Sequence, residues 1–237
     1  MMKKGIDKNA IEYWYPKIQG LIPTPKTVIV PVKRKWHKSG EFLYIPKKYI
    51  KEIVQAAQDF VFPIFLRGSH SSIKHDWKDT CFVPSLDVLE EHIQRIANEC
   101  ECLDVFGGVP VTSYAVREYI EMDTAFRFFG GDLPINPERR YFIYKNKLIC
   151  HHPYWTSESI EEEKYHKKLD EINKEIEEEK KLLNDYACKI ATKFDGYWSI
   201  DFCRAKAGKW YCIDMAMGYQ SWHPKCLLKL LPEGEPR

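Results

Sequence analysis

The segment 197–216, YWSIDFCRAKAGKWYCIDMA, constrains this chain more than any other. Two apolar, β-rich runs are joined by Lys-Ala-Gly-Lys, which predicts an antiparallel hairpin with a glycine in its turn. Each run carries one acid among apolar neighbours, Asp201 in the first and Asp214 in the second. If the strands pair through residues 205–209, the two carboxylates come close across the ladder. Adjacent carboxylates repel unless a cation sits with them. Mg2+ held by one or two carboxylates together with phosphate oxygens meets that demand. An arginine such as Arg140, paired with one of the acids, meets it equally.

The rest of the chain alternates helical and hairpin patterns. Residues 21–32 (LIPTPKTVIVPV) predict a strand entered from a turn, and Ile50, Ile53, Val54 and Ala57 predict a helix over 47–59. Runs at 61–67 and 79–84 predict a hairpin around a polar loop. Ser85 is placed to cap a helix reaching about Cys102, and 113–120 predicts a strand. Residues 138–153 predict two strands about a tight Lys145-Asn146 turn. Helices interspersed with antiparallel hairpins imply an α+β fold and not a doubly wound parallel sheet. The expected division is an N-terminal and central lobe, residues 1–112, and a C-terminal lobe, 113–237. Within the latter, 157–194 is dominated by Glu and Lys, with Ile160, Leu169, Ile172, Ile176, Leu183 and Ile190 at helical spacing. That predicts a long surface helix or helical hairpin docked along one stripe.

Charge and composition exclude several classes. With 36 Lys+Arg against 34 Asp+Glu, the net charge of +2 gives no general pull toward nucleic acid or an anionic membrane. The densest apolar stretch, Phe60 to Leu66, falls far short of the ~18 residues a membrane helix needs. The opening MMKKGIDKNAIEYWYP has an acid and aromatics where a secretory leader would be continuously apolar, so a cytoplasmic location is expected. Of the eight cysteines, Cys100 and Cys102 form a close pair without zinc-site spacing, and the others sit singly among apolar residues. They are expected to be reduced thiols.

Three further clusters can carry chemistry. In FLRGSHSSIKHDWKDTCFV, Arg67 ends a strand, and a Gly-Ser loop leads to Lys74, His75 and Lys78. Such a loop can close over phosphates, although no Walker glycine-lysine signature is present. In VREYIEMDTAFRFFGG, an exposed strand edge followed by Glu121 and Asp123 can meet a nucleobase through its backbone and a ribose through a carboxylate. In NPERRYFIYKNKLICHHPYW, Glu138 and Arg140 share one strand face while Arg139 points away. A buried arginine needs an anionic partner, and its planar fork suits phosphate. His151 and His152 face opposite ways, so at most one joins any single site.

In this order, the entry IPTPKTVIV, the loop RGSHSSIKHDWKDTC, the hinge VREYIE, the block GGDLPINPERRYFIY with CHHPYW, and the pair WSIDF and WYCIDMA resemble the ATP-grasp superfamily. The likeness spans about residues 21–223 and is nearest to its small bacterial, archaeal and phage proteins. It implies two α+β lobes with antiparallel sheets enclosing a nucleotide cleft, and ATP and Mg2+ as cofactors. Carried over by position, Lys74 looks like the loop lysine on the phosphates, with Arg67 and Lys78 nearby. Glu118, Tyr119, Ile120 and Glu121 look like the adenine hinge, with Glu121 or Asp123 at the ribose. Arg140, or Arg139, looks like the arginine that stabilises phosphate or the intermediate, and Asp201 and Asp214 look like the metal ligands. Many ATP-grasp enzymes place an Asn two residues after the final acid, where this chain has Ala216. The implied activity is Mg2+-dependent ligation of a carboxylate to an amine or thiol through an acylphosphate. His151, His152, Tyr154, Trp155 and the segment Tyr219–His223 are available to line an acceptor pocket. The alternatives are an ATP-binding assembly or regulatory factor without ligase turnover and, on Lys/Arg clusters at 33–38 and 47–51, a nucleic-acid-binding protein.

Overall fold

A computed structural model describes residues 7–36, 43–105 and 111–224. From the N-terminus, α1 (Ile11–Ile18) leads to β1 (Thr27–Pro31), the short strands β2 (Lys35–Trp36) and β3 (Leu43–Tyr44), α2 (Lys47–Ala57) and β4 (Ile64–Gly68). There follow β5 (Phe82–Val83), α3 (Leu89–Val105), β6 (Ser113–Glu118), β7 (Phe126–Phe128), a one-turn α4 (Phe129–Asp132) and β8 (Leu133–Ile135). The chain continues through β9 (Glu138–Tyr144), β10 (Lys147–Pro153), α5 (His166–Asn173), α6 (Glu177–Ala191), β11 (Tyr197–Arg204) and β12 (Trp210–Met217). The architecture is α+β, and every strand pairing within its two four-stranded sheets is antiparallel. No helix among the described residues is long and apolar enough to cross a membrane.

Two compact units divide the chain. The first comprises Pro25–Ile120 and Phe128–Leu133; the second comprises Met1–Thr24, Glu121–Arg127 and Pro134–Arg237. Strand β6, which lies after residue 112, pairs with β1 and β4 and so falls in the first unit, whereas α1 falls in the second.

The first unit is built on a sheet of order β1-β6-β4-β5. Its core joins Leu66 and Val116 from the sheet to Ile50, Ile53 and Ala57 of α2 and to Leu89, Ile93 and Ile96 of α3. The apolar spacing of both helices matches one buried face. Ser85 is extended as a cap residue would be, but its side chain makes no cap hydrogen bond, and a 3-10 turn over Leu86–Val88 precedes α3.

The second unit is built on a sheet of order β10-β9-β11-β12. Lys145 and Asn146 have φ of 44° and 65°, the two left-handed positions of a hairpin turn whose twist matches its strands. At the other hairpin, Gly208 at φ 81° allows Ala205 N–H to donate to the Lys209 carbonyl at 2.8 Å. The charged 157–194 segment forms two helices and not one, with Lys174–Ile176 as the break. Leu169, Leu183 and Ile190 are buried as the stripe requires, but Ile176, in the break, is exposed. Helix α1 was not anticipated from the sequence: Ile11, Trp14, Tyr15 and Ile18 are buried at i, i+3, i+4 and i+7, and Tyr13 stacks on Trp198.

Candidate functional site

One cross-strand row runs the full width of the second unit's sheet. His152 on β10 is the register partner of Arg140 on β9, which partners Asp201 on β11, which partners Asp214 on β12. Register partners share a face of the sheet, so these four polar side chains emerge together. Asp201 and Asp214 are therefore directly opposed, as the hairpin requires. Arg140 closes on Asp201 as a fork, with Nε donating to Oδ1 at 2.7 Å and Nη2 donating to Oδ2 at 2.8 Å. Both side chains are largely withdrawn from water, at 15% and 9% exposure. Burial alone would lower the Arg140 pKa, but the adjoining Asp201 carboxylate overrides it and holds the guanidinium above its ordinary value. Arg140 also lies 4.5 Å from the Tyr154 ring centre and donates to the Trp222 carbonyl at 3.4 Å. Asp214 Oδ1 accepts the Met215 N–H at 2.9 Å. The arginine pairing, one of the two arrangements open from sequence, is thus in place at Asp201.

Strand alternation sends Arg139 to the opposite face. Its Nη2 donates to the carbonyls of Ile172 and Lys174, each at 3.0 Å, which fastens the break between α5 and α6. Burial lowers its pKa, since its main partners there are carbonyl dipoles and not a carboxylate in contact. Of the two arginines, Arg140 is the one facing the acids. The paired histidines divide in the same way. His151 stacks on Tyr141 at 4.8 Å and pairs with Glu175, whereas His152 stands on the Arg140 face.

The neighbouring row on that face is Cys150, Phe142, Ser199 and Ala216. Ala216 supplies no side-chain oxygen, but Ser199 lies directly across from it, with its hydroxyl 2.6 Å from Ser221 Oγ and 3.4 Å from the Ala216 carbonyl. Sequence reasoning did not single out Ser199 or Cys150. The available signal was their i, i±2 spacing from Asp201 and His152 in strands.

In the first unit, Arg67 is buried at the end of β4, with Nε donating to the Gly68 carbonyl at 3.2 Å. The following loop is anchored and is not a loose Gly-Ser tether. Gly68 N–H donates to the Ser71 carbonyl, Ile73 takes a left-handed φ of 52°, and Lys74–Asp76 form a 3-10 turn. The buried Thr80 hydroxyl reaches the Ile73 carbonyl at 2.9 Å and also that of Asp76. Lys74 is half-buried and Lys78 exposed. The His75 pKa is lowered by burial and by the neighbouring Lys74 charge, and its ring meets Phe129 edge-on at 4.7 Å.

The expected hinge is held at both ends. Glu118 Oε1 accepts the Lys26 N–H at 2.6 Å, and Tyr119 packs edge-on against Phe82; Ile120 is half-buried. Within the second unit, Glu121 takes a 2.6 Å ion pair from Lys206, and Asp123 is forked by Arg204 at 2.7 and 3.1 Å. Arg204 in turn meets Glu179 at 2.9 Å. The Glu121–Lys206 pair is mostly exposed, and such pairs contribute about 0–1 kcal/mol.

Residues 47–231 match an ATP-grasp domain family, the third of its clade. The chain belongs to this ATP-grasp family. Among solved structures, this ATP-grasp chain is similar to Cdc123 from Schizosaccharomyces pombe, with 15% identity, a TM-score of 0.58, and 99% of this chain and 97% of that chain covered. A C-terminally truncated Cdc123 from the same organism gives 17% identity and a TM-score of 0.52, covering 97% and 91%. An ATP-grasp RimK domain protein from Sphaerobacter thermophilus gives 10% identity and a TM-score of 0.47, covering 89% and 59%. No match was found among curated proteins. At these identities the likeness is one of fold.

Proposed function

We propose that this ATP-grasp chain binds ATP with Mg2+ and uses it to join a carboxylate to an amine or thiol through an acylphosphate. The observation that carries the proposal is the Arg140–Asp201–Asp214 row: two opposed carboxylates and one guanidinium leave a net negative charge on a single sheet face. That oxygen donor set suits Mg2+. Asp214 would hold the ion, with Asp201 joining it by sharing its carboxylate with Arg140. Mg2+ would neutralise phosphate charge. Lys74, with Arg67 and Lys78, would meet phosphate oxygens, and residues Glu118–Asp123 would take the adenosine. Arg140 would stabilise charge developing on the transferred phosphoryl group, since phosphoryl transfer asks the protein chiefly for positioning and neutralisation.

A second reading, ATP binding without ligase turnover, draws on two observations: both Asp201 oxygens are engaged by Arg140, and Ala216 adds no ligand. Titration calorimetry with ATP, with and without Mg2+, tests the shared part. Tight binding that needs Mg2+ is expected, with Lys74→Ala weakening affinity while barely moving apo stability. Absence of binding at millimolar nucleotide would remove both readings. Assaying ADP and phosphate release against pools of carboxylates and amines separates them, since only the ligase reading expects acceptor-dependent release.

A further inference from the structure

Beside the Arg140 row, and drawn from different residues, three soft donor atoms converge within the second unit. The side chains of Cys150, His152 and His223 place one ligand atom each within 4.8 Å of one another, and Cys150 Sγ stands 3.2 Å from His223 Nε2. Cys150 and His152 are two apart on β10 and therefore share a face, and His223 comes from the segment after β12. Phe142 backs the group, 4.3 Å from the His223 ring, and the two histidine rings meet edge-on at 5.0 Å. His223 makes a further hydrogen bond to the Pro224 backbone. With Nε2 turned toward the sulfur, this is the outer contact that fixes the orientation of a metal-binding imidazole.

We propose that Cys150, His152 and His223 form a Zn2+ site with one coordination position left for water or a ligand atom. One thiolate and two imidazoles are a donor set that zinc takes in three-ligand sites. With Zn–S near 2.3 Å and Zn–N near 2.05 Å, tetrahedral geometry puts sulfur and nitrogen about 3.6 Å apart, so the Cys150–His223 pair needs only a small shift. Soft and imidazole donors select against Mg2+, which distinguishes this site from the carboxylates of the next row. On binding, the Cys150 thiol releases its proton and the S–Zn bond replaces S–H. The site would staple the segment after β12 to β10. The proposal does not depend on the nucleotide reading, because none of its ligands is assigned to ATP or Mg2+.

The test uses the full chain, stripped with chelator and titrated with Zn2+ in excess Mg2+, with Co2+ as a spectroscopic probe. One Zn2+ per chain, a rise in melting temperature and a thiolate-to-cobalt charge-transfer band are expected. Cys150→Ser should abolish the band, and both Cys150→Ser and His223→Ala should weaken Zn2+ by more than the roughly 10–100-fold that loss of an outer contact costs. Cys188→Ser, at an exposed cysteine outside the cluster, should leave binding intact. Cys150→Ser is nearly isosteric, so it decides the matter if His223→Ala folds poorly. No stoichiometric Zn2+ uptake by the wild-type chain, or uptake unchanged in Cys150→Ser, overturns the proposal.

Discussion

Arg140 and Asp201 make the two acids of the hairpin unequal, although the ladder sets them face to face. Asp201 is the buried counter-ion of a buried guanidinium, whereas Asp214 is half-buried and accepts the adjacent Met215 backbone N–H. Asp201→Asn keeps the shape but leaves Arg140 uncompensated, and should destabilise the unliganded protein by about 3–5 kcal/mol. Asp214→Asn should cost under about 1 kcal/mol, since it relieves repulsion between the opposed acids. Urea unfolding of the two variants without nucleotide checks this, and equal small effects would show that the Arg140 fork contributes little. The opposition of the acids was legible because a glycine turn and two short apolar runs leave the hairpin few registers. The choice between a metal and Arg140 at Asp201 was not, because nothing local says that β9 lies beside β11. Cys150, His152 and His223 escaped for a related reason. Their spacing matches no loop-borne zinc pattern, and only the strand face and the return of the chain after β12 bring them together.

At the scale of elements, Arg139 joins the charged helical pair to the sheet. Its fork holds the carbonyls of Ile172 and Lys174, the groups that α5 and the break after it leave without helical partners. Arg139→Lys keeps the charge but replaces a planar fork with a point donor. Hydrogen bonds to charged groups contribute about 1.5–3 kcal/mol each, so loss of one or both should cost roughly 2–4 kcal/mol. Amide hydrogen exchange should then accelerate over 166–191 while β9 and β11 keep their protection; unchanged exchange in the helices would refute the role. Composition announced a charged helical segment with one apolar stripe, and Leu169, Leu183 and Ile190 follow it. The break did not show, because a run of Glu and Lys has high helix propensity throughout and Arg139, far away in sequence, terminates it. Helix α1 carried a complete i, i+3, i+4, i+7 pattern. Pro16, which usually ends a helix, masked it, and the short helix tolerates the missing N–H.

For the whole molecule, division into two compact units bears on how nucleotide binding will register as stability. A ligand that binds only the folded state stabilises by RT ln(1 + [L]/Kd), about 2.7 kcal/mol at 100 times Kd. At about 2–4 °C per kcal/mol for a chain of this length, Mg2+-ATP should raise the melting temperature by roughly 5–11 °C. Two units, each with its own sheet and core, need not melt in one step, so a single midpoint is secure only if one transition is seen. Where scanning calorimetry resolves two, the Mg2+-dependent part of the shift belongs to the transition of the unit carrying Asp201 and Asp214. Asp214→Asn should remove that part, leaving the smaller shift given by ATP with chelator, while Cys188→Ser should behave as wild type. A full Mg2+-ATP shift in Asp214→Asn would mean that the hairpin acids do not hold the ion, and the metal assignment would fall while ATP binding itself stood.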